Sequence, residues 1–363
     1  MAVRCCLVFI SFRVIQNSFP RIIMLRFSSY LRNLAAPDVS WKISQGVTGS
    51  GLEWTRAPKK ILVSKKYNDS KARHAMTTMC EYLRSIGVEV VLDCNDPDLK
   101  SSNGEYKTSS CDLVAENVDL VVCLGGDGTV LRTVGWLGDC ASPSQIPPIM
   151  AFGVGTLGFL SPFSVAEYAS IFARILDPPN SYPVMLRSRL KCEVFQEPSV
   201  PGIVRRVLNE CLVARGSHSA FQHLDCTIDG MRVAQFQADG LIIATPSGSS
   251  AYSMAAGGSL VAPTVPSILL TPVAPHALSA RPLILPSSSV IEVHVPKHAR
   301  SRPIVSFDGH NELVLERNAV IKVSESKTKV PFLCLPGSTG PNSDWFVSLR
   351  SKLHWAKEVR RPT

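Results

Sequence analysis

The chain has 363 residues, of which 45% are hydrophobic and 18% charged, a balance typical of folded globular proteins that excludes a disordered one. Its formal net charge is +9, but five of its arginines lie in residues 1–37, and the remainder is too weakly basic to indicate nucleic-acid binding. No apolar run approaches the length of a membrane span, so we expect no membrane insertion.

Residues 1–37 contain arginines and serines but no lysine and no acid, which is typical of a mitochondrial presequence. A secretory signal and an inert tail are the alternatives. Secretion is less favoured because Arg13 interrupts the short apolar run and no small-residue cleavage site follows. We therefore predict import into the mitochondrial matrix, with translation starting at Met1 or Met24.

The eleven cysteines include no C-x-x-C pair, and several fall within apolar strands. This spacing favours reduced, mostly buried thiols over a disulfide framework or a zinc site.

The first half of the chain alternates predicted strands and helices. Residues 38–58 are rich in Ser, Gly and Thr and are predicted to be a linker. The alternation that follows them indicates a parallel α/β domain over 59–180. The predicted elements are strands 60–63, 88–92, 120–124 and 148–152 and helices 69–86, 129–137 and 166–176.

From residue 181 to 340 strand-like runs follow one another, and Asp229-Gly230 is a strong hairpin signal. We predict a mainly antiparallel β-sandwich there. A C-terminal segment, 341–363, should form a helix that packs on the first domain. The predicted strands are 185–195, 206–214, 224–228, 231–236, 241–244, 290–295, 303–307, 320–323 and 331–335.

The strand at 120–124 runs into Gly125-Gly-Asp-Gly-Thr129. Glycines let backbone N–H groups approach a ligand and adopt positive φ, and Thr129 is placed to cap the following helix. A helix N-terminus behind such a loop favours phosphate. Asp127, set in that positive loop, then indicates a hydroxyl or a metal beside the phosphate.

Two further segments are candidates. The loop Thr245–Ser250 follows a predicted strand and offers the hydroxyls of Thr245, Ser247 and Ser250, and Tyr252 adds an aromatic ring with a polar tip. Taken alone, such a loop is more often a structural turn than a binding site. Asn209 and Glu210 interrupt an apolar run at 207–213, where they form either a satisfied structural pair or a pair that reads the hydroxyls of a nucleoside.

Together these motifs resemble those of the NAD kinase family, in the same order along roughly residues 60–340. With the presequence, the chain looks most like the fungal mitochondrial NADH kinases. Any single motif is weak, since Gly-Gly-Asp-Gly-Thr also occurs in diacylglycerol and sphingosine kinases, but the ordered set is specific. The matching segments are Gly125–Thr129, Gly155–Leu160, Asn209-Glu210, Asp239-Gly240, Thr245–Tyr252 and Arg281–Pro286.

The resemblance implies transfer of the γ-phosphoryl group of ATP to the 2′-hydroxyl of the adenosine ribose of NAD or NADH. The resemblance makes Asp127 the proposed base. It makes Asp239 an acid near the nicotinamide half, and in homologues this acid is contributed across a subunit interface of a homo-oligomer. Mg²⁺ is expected with the ATP rather than in a protein-only site. The remaining implied ligand-binding residues are Gly125, Gly126, Gly128 and Thr129 at the phosphates, Asn209 and Glu210 at the adenosine, and Thr245, Ser247, Ser250, Ala251 and Tyr252 around the substrate.

Four residues depart from the family's usual sequence: Ala238 for glycine, Ser250 for threonine, Ala255 for serine and His310 for glutamine. Ser250 keeps its hydroxyl, whereas Ala255 removes one hydrogen bond and bears on affinity or on the choice between NAD and NADH. Two other functions stay open from the sequence. One is a lipid kinase sharing the glycine loop, and the other is a non-catalytic regulator that binds a dinucleotide.

Overall fold

The structure is a computed structural model, and it describes residues 41–46, 49–98, 108–109, 118–138, 146–155, 158–176, 181–197, 201–216, 221–338, 340 and 342–356. All of these belong to the unit Ser40–Thr363. The predicted presequence, 1–37, lies outside the described residues.

The elements alternate between strands and helices up to α3 and are then almost all strands. The helices are α1 (Ser70–Ser85), α2 (Asp127–Gly138), α3 (Tyr168–Ile175), α4 (Tyr252–Ala255) and α5 (Ser343–Lys352), and short 3₁₀ turns occupy Val165–Glu167 and Ser247–Ser250. The strands are β1 (Trp41–Gly46), β2 (Gly49–Trp54), β3 (Lys60–Lys65), β4 (Glu89–Asp93), β5 (Thr108–Ser109), β6 (Leu120–Leu124), β7 (Ile149–Gly153), β8 (Phe163–Ser164), β9 (Ser181–Arg187), β10 (Leu190–Phe195), β11 (Ile203–Val207), β12 (Glu210–Ala214), β13 (Gln222–Ile228), β14 (Met231–Ala238), β15 (Gly240–Ala244), β16 (Ser267–Val273), β17 (Leu283–Pro286), β18 (Ile291–His294), β19 (Ile304–Phe307), β20 (His310–Val314), β21 (Val320–Glu325) and β22 (Val330–Leu333).

The first sheet has the order β1-β2-β9-β22-β7-β6-β3-β4-β5, with β8 beside β7. It is parallel from β22 to β5, as predicted, and its strands are buried on both faces: α1 and α3 cover one face and α2 covers the other. The chain leaves β3 toward β4 but leaves β6 toward β7, in opposite directions across the sheet. The carboxyl ends of β3 and β6 therefore open a crevice of the kind in which α/β sheets bind ligands.

Helix α1 has the predicted ends. The Asp69 side chain accepts the N–H of Ala72 at 2.9 Å, and Gly87 follows the helix with φ of 81°. A side-chain cap of this kind is worth about 1 kcal/mol. Of the apolar residues at helical spacing, Ala72, Met76, Met79, Cys80 and Leu83 are buried.

The predicted linker at 38–58 is wrong, because much of it is an antiparallel hairpin. Trp41 pairs with Trp54 across β1 and β2, and Leu52 is fully buried. Strand β2 also pairs with β9, so the hairpin extends the first sheet. The segment was predicted to be a linker because its many serines and glycines outnumber the few apolar residues that anchor the hairpin to the first sheet.

Strands β9 and β22 lie in the first sheet, although the sequence assigned their residues to the second domain. Strand β22 runs antiparallel to β9 and parallel to β7. The predicted continuous domain over 181–340 is therefore interrupted at both ends. Helix α5 follows, and the Asp344 carboxylate accepts the N–H of Leu335 at 2.8 Å, which ties the helix to the end of β22.

The predicted antiparallel sandwich is confirmed. Its two sheets have the orders β11-β10-β21-β18-β13-β14 and β17-β16-β15-β12-β19-β20, and their facing apolar residues form one core. Asp229-Gly230 makes the predicted hairpin turn, with both residues at positive φ. Strands β16, β17 and β20 were missed because prolines and polar residues obscure their alternation.

The cysteines within the described residues are free, and most of them are buried, as expected of reduced thiols. In the part of the chain that is described, no helix combines the length and apolar character of a membrane span.

Candidate active site

The glycine loop lies at the carboxyl end of β6, beside the crevice in the first sheet. Helix α2 begins at Asp127, so the prediction that Thr129 caps the helix is wrong. Thr129 is buried within the first turn, where its N–H donates to the Gly126 carbonyl at 2.9 Å. Of the three glycines only Gly125 has positive φ. Gly126 immediately precedes the helix and Gly128 lies in its first turn, where the first N–H groups have no intrahelical acceptor and can face an anion.

The Asp127 carboxylate is held by the segment 159–161. It accepts the N–H of Phe159 at 2.8 Å and that of Leu160 at 2.9 Å, and the Ser161 hydroxyl at 3.2 Å. The motifs Gly125–Thr129 and Gly155–Leu160 therefore meet at this carboxylate.

Gly158 is the residue that permits this approach. A Cβ added there would lie 1.8 Å from Oδ1 of Asp127 and 2.6 Å from Oγ of Ser161. Gly125 is similarly restricted, since its Cβ would lie 2.3 Å from Oγ1 of Thr129.

Helix α2 is anchored at the sheet edge by polar contacts near its start. Arg132 donates to the Lys65 carbonyl at 2.7 Å, and Thr133 donates to the Ser64 hydroxyl at 2.9 Å. Ser64 in turn donates to Asp93 at 2.9 Å. These bonds fix the N-terminus of α2 relative to β3 and β4.

Asn209 and Glu210 were predicted to lie inside one strand, 206–214, but the chain passes there from one sandwich sheet to the other: β11 ends at Val207, Asn209 lies in the crossing and Glu210 begins β12. Asp308, in the turn between β19 and β20, holds this crossing. Its carboxylate accepts the N–H groups of Leu208 at 2.8 Å, Asn209 at 2.7 Å and Glu210 at 3.0 Å. Burial raises the pKa of Asp308 to about 6, although the three N–H groups oppose that rise.

Glu210 is a poorly solvated acid in this crossing. Burial, with a smaller contribution from nearby Asp308, raises its pKa to about 7. Its Oε2 is buried and has no hydrogen-bond partner among the described residues. An unsatisfied buried acceptor calls for a donor from outside the chain, such as a hydroxyl.

The loop that follows β15 packs directly on this crossing. Thr245 donates its N–H to the Asn209 carbonyl at 2.8 Å and its hydroxyl to the Leu208 carbonyl at 2.5 Å. A Cβ at Gly248 would lie 2.3 Å from the Asn209 carbonyl oxygen. The Asn209-Glu210 pair and the loop Thr245–Tyr252 are therefore one structural unit.

The other residues of this loop differ in exposure. The Ser250 hydroxyl donates to the Ser247 carbonyl at 3.3 Å, and Ala251 is half-buried beside it. Tyr252 is 42% exposed, so its ring is available to a ligand.

Asp239 is the predicted site residue that the fold does not bring to the others. Asp239 immediately precedes β15 and Thr245 immediately follows that strand, so Asp239 and Thr245 are about 20 Å apart along it. Asp239 instead forms an ion pair with Arg215, at 3.2 Å from Nε.

Arg187 connects the two halves of the site. Its guanidinium donates to the Ser247 hydroxyl at 2.9 Å and to the Phe159 carbonyl at 3.5 Å. Phe159 in turn contacts Asp127, so the glycine loop and the Thr245–Tyr252 loop are joined through one buried arginine.

The departures from the usual family sequence are in different surroundings. Ala238 is fully buried at the end of β14, whereas Ala255 and His310 are exposed.

Two family models cover most of this architecture. A model of the ATP-NAD kinase N-terminal domain matches residues 59–180, and a model of the ATP-NAD kinase C-terminal domain matches residues 208–335. The chain belongs to the NAD kinase family.

Plant and fungal members of the NAD kinase family are similar to it over most of its length. It is 37% identical over 318 residues to the probable chloroplastic NAD kinase 2 of Oryza sativa subsp. japonica, which covers 85% of this chain but only 32% of the rice protein. It is 35% identical over 270 residues to the mitochondrial NADH kinase POS5 of Saccharomyces cerevisiae, covering 70% of this chain and 64% of the yeast protein. The chain thus spans about a third of the length of that rice relative.

The crystal structure of yeast NADH kinase complexed with NADH has the same fold. It superposes with a TM-score of 0.80 at 29% identity, covering 91% of this chain and 98% of the yeast chain.

Sequence reasoning about this NAD kinase family member missed Arg187 and Asp308. Arg187 lies in a run predicted as one strand, 185–195, and an arginine among apolar strand residues was a usable signal. Asp308 precedes a glycine and reads as an ordinary turn residue, which it also is. Its hydrogen bonds to residues 208–210, a hundred positions away, have no local sequence pattern from which they could be predicted.

Proposed function

We propose that this chain transfers the γ-phosphoryl group of MgATP to the 2′-hydroxyl of the adenosine ribose of NAD or NADH. The observation that carries the proposal is the convergence of Asp127, the start of α2 and the loop Thr245–Tyr252 around Arg187. The family model's name supports ATP as donor, and the yeast relative was crystallised with NADH.

Phosphoryl transfer needs alignment and charge neutralisation more than covalent help. The free N–H groups at the start of α2 would face the phosphates, within the loop formed by Gly125, Gly126, Gly128 and Thr129. Asp127 would orient the ribose hydroxyl and accept its proton late, because a carboxylate is a weak base toward a sugar hydroxyl.

Mg²⁺ would arrive with the nucleotide. Among the described residues no group of three or more His, Cys, Asp or Glu side chains is arranged to hold a metal ion. The ion would neutralise charge between phosphate oxygens, as it does in other phosphoryl transfers.

Asn209 and Glu210 would bind the adenosine half. The unpartnered Oε2 of Glu210 supports this role, since a ribose hydroxyl would supply the missing donor. Thr245, Ser247, Ser250, Ala251 and Tyr252 would enclose the same substrate.

The pKa of Glu210 gives this role a pH dependence. Protonation below about pH 7 fills the acceptor, so dinucleotide binding should strengthen as the acid ionises. We expect KM for NAD to fall about tenfold between pH 6 and pH 8, as the ionised fraction rises. In Glu210→Gln, KM should be high and independent of pH over that range. Parallel profiles in the two proteins would remove Glu210 from the substrate site.

Purified protein incubated with MgATP and, separately, NAD, NADH and diacylglycerol tests the function. We expect NADP or NADPH to form, and no phosphatidic acid. Phosphorylation of diacylglycerol alone would identify a lipid kinase. Dinucleotide binding without transfer would identify a regulator.

We further propose a homo-oligomer in which Asp239 serves the nicotinamide half at a neighbouring subunit's site, because β15 separates it by about 20 Å from Thr245 of the same chain. Sedimentation of the purified protein tests this assembly.

We also propose mitochondrial matrix localisation, supported by the arginine-rich, acid-free residues 1–37 and by the mitochondrial yeast relative. N-terminal sequencing of protein isolated from the organelle tests this.

A further inference from the structure

Arg187 is a buried cation at the centre of the site. It ends β9 and is only 5% exposed. Burial lowers its pKa to about 10, so it remains protonated at neutral pH. Removing a charged group from water is costly unless the surroundings compensate it. A buried arginine that stays protonated must therefore be compensated by its contacts, or by a ligand.

The contacts of Arg187 account for only part of its donor capacity. Its terminal nitrogens donate to Ser247 and Phe159, and its guanidinium lies 5.2 Å from the centre of the Phe332 ring. Its Nε is buried without a hydrogen-bond partner among the described residues. No carboxylate there forms an ion pair with it within 4 Å, although Asp127 is close enough to influence its pKa.

The two groups that Arg187 contacts belong to opposite sides of the site. Phe159 donates its N–H to Asp127 and accepts from Arg187 through its carbonyl, so one residue joins the acid to the arginine. Ser247 belongs to the 3₁₀ turn of the loop that packs on the Asn209–Glu210 crossing. Any shift of the guanidinium would therefore change the separation between the acid and the substrate loop.

We propose that Arg187 is a positioning residue for phosphoryl transfer, which sets the Thr245–Tyr252 loop at a fixed distance from Asp127. The inference rests on the proposed kinase function. The planar guanidinium carries donors on both sides, so it can bridge two loops, whereas a lysine ammonium concentrates its charge at one point. Because phosphoryl transfer is sensitive to alignment, the bridge acts on turnover more than on binding of either substrate.

The test compares Arg187→Met and Arg187→Lys with wild type, using separate KM values for ATP and for NAD. We expect Arg187→Met to lower kcat about a hundredfold while each KM changes less than about fivefold. Arg187→Lys should recover part of that loss, because it restores the charge and one donor.

Leu83→Ala is the control for lost stability. Leu83 is fully buried near the far end of α1, about 20 Å along the helix from the sheet edge that carries the site. Its kcat per folded molecule should match wild type even where its thermal midpoint falls as far as that of Arg187→Met.

Three results would overturn the inference. These are an unchanged kcat in Arg187→Met, a loss confined to KM, and an equal loss of kcat in Leu83→Ala. A wild-type protein that phosphorylates neither NAD nor NADH would instead refute the kinase function, and this inference with it.

Discussion

Asp127→Asn is expected to lower kcat by about 10²–10⁴-fold while the protein still folds. The amide cannot accept a proton from the ribose hydroxyl. In addition, its NH₂ group would face one of the two backbone N–H groups that the carboxylate now accepts, from Phe159 and Leu160. Steady-state turnover with NAD, together with a circular dichroism melt, checks both parts of this expectation.

Ser161→Ala separates the two effects. It removes only the hydroxyl that donates to Asp127 at 3.2 Å and leaves the carboxylate in place. We expect turnover within about tenfold of wild type, in keeping with the loss of one hydrogen bond. Unchanged turnover in Asp127→Asn would remove the base assignment. A loss in Ser161→Ala as large as that in Asp127→Asn would mean that the orientation of the acid, rather than its basicity, limits the reaction.

Gly248→Ala is expected to raise KM for NAD by more than about tenfold and to lower the free energy of unfolding by about 1–3 kcal/mol. The new methyl group would meet backbone atoms of Asn209 at 2.3, 2.6 and 2.8 Å, none of which can rotate away. The loop and the crossing would have to separate, and the hydrogen bond from Thr245 to Asn209 would lengthen. Steady-state kinetics with NAD and denaturant unfolding measure the two effects.

Gly135→Ala is the matched control. The same methyl group there has no neighbour within 4 Å, and the residue lies inside α2. Alanine should stabilise the helix by about 0.5–1 kcal/mol and leave KM unchanged. If Gly248→Ala binds NAD normally, the loop following β15 does not contact the dinucleotide.

Elements with strong local signals were predictable. Strand β6 is apolar at every position, and α1 combines helical spacing with a capping aspartate and a terminal glycine. Of the predicted site residues, Thr245 contacts Asn209 directly, whereas Asp127 is joined to the hydroxyl loop only through Phe159 and Arg187. Their role in binding a substrate stays a prediction.

The errors arose where tertiary contacts outweigh local preference. Thr129 is a good capping residue, yet the helix begins two residues earlier, because Gly126 accepts the N–H of Thr129 and the Asp127 carboxylate is engaged by a distant segment. One continuous strand was predicted over 206–214 because the neighbours of Asn209 and Glu210 are apolar. Instead β11 ends at Val207 and β12 begins at Glu210, and the buried Asp308, a hundred residues away, accepts the backbone N–H groups between them. The β1–β2 hairpin depends on β9 for its partner, which no local window contains.

The place of β22 has a consequence for how the protein is made. This strand sits between β9 and β7, yet it comes from residues 330–333, close to the end of the chain. During synthesis the first sheet cannot be completed until residues 330–333 have emerged from the ribosome, and until then that edge of β7 is paired only by the two-residue strand β8. Neither the first sheet nor the sandwich can therefore fold without the other part of the chain, and an expressed fragment ending near residue 180 should aggregate rather than fold.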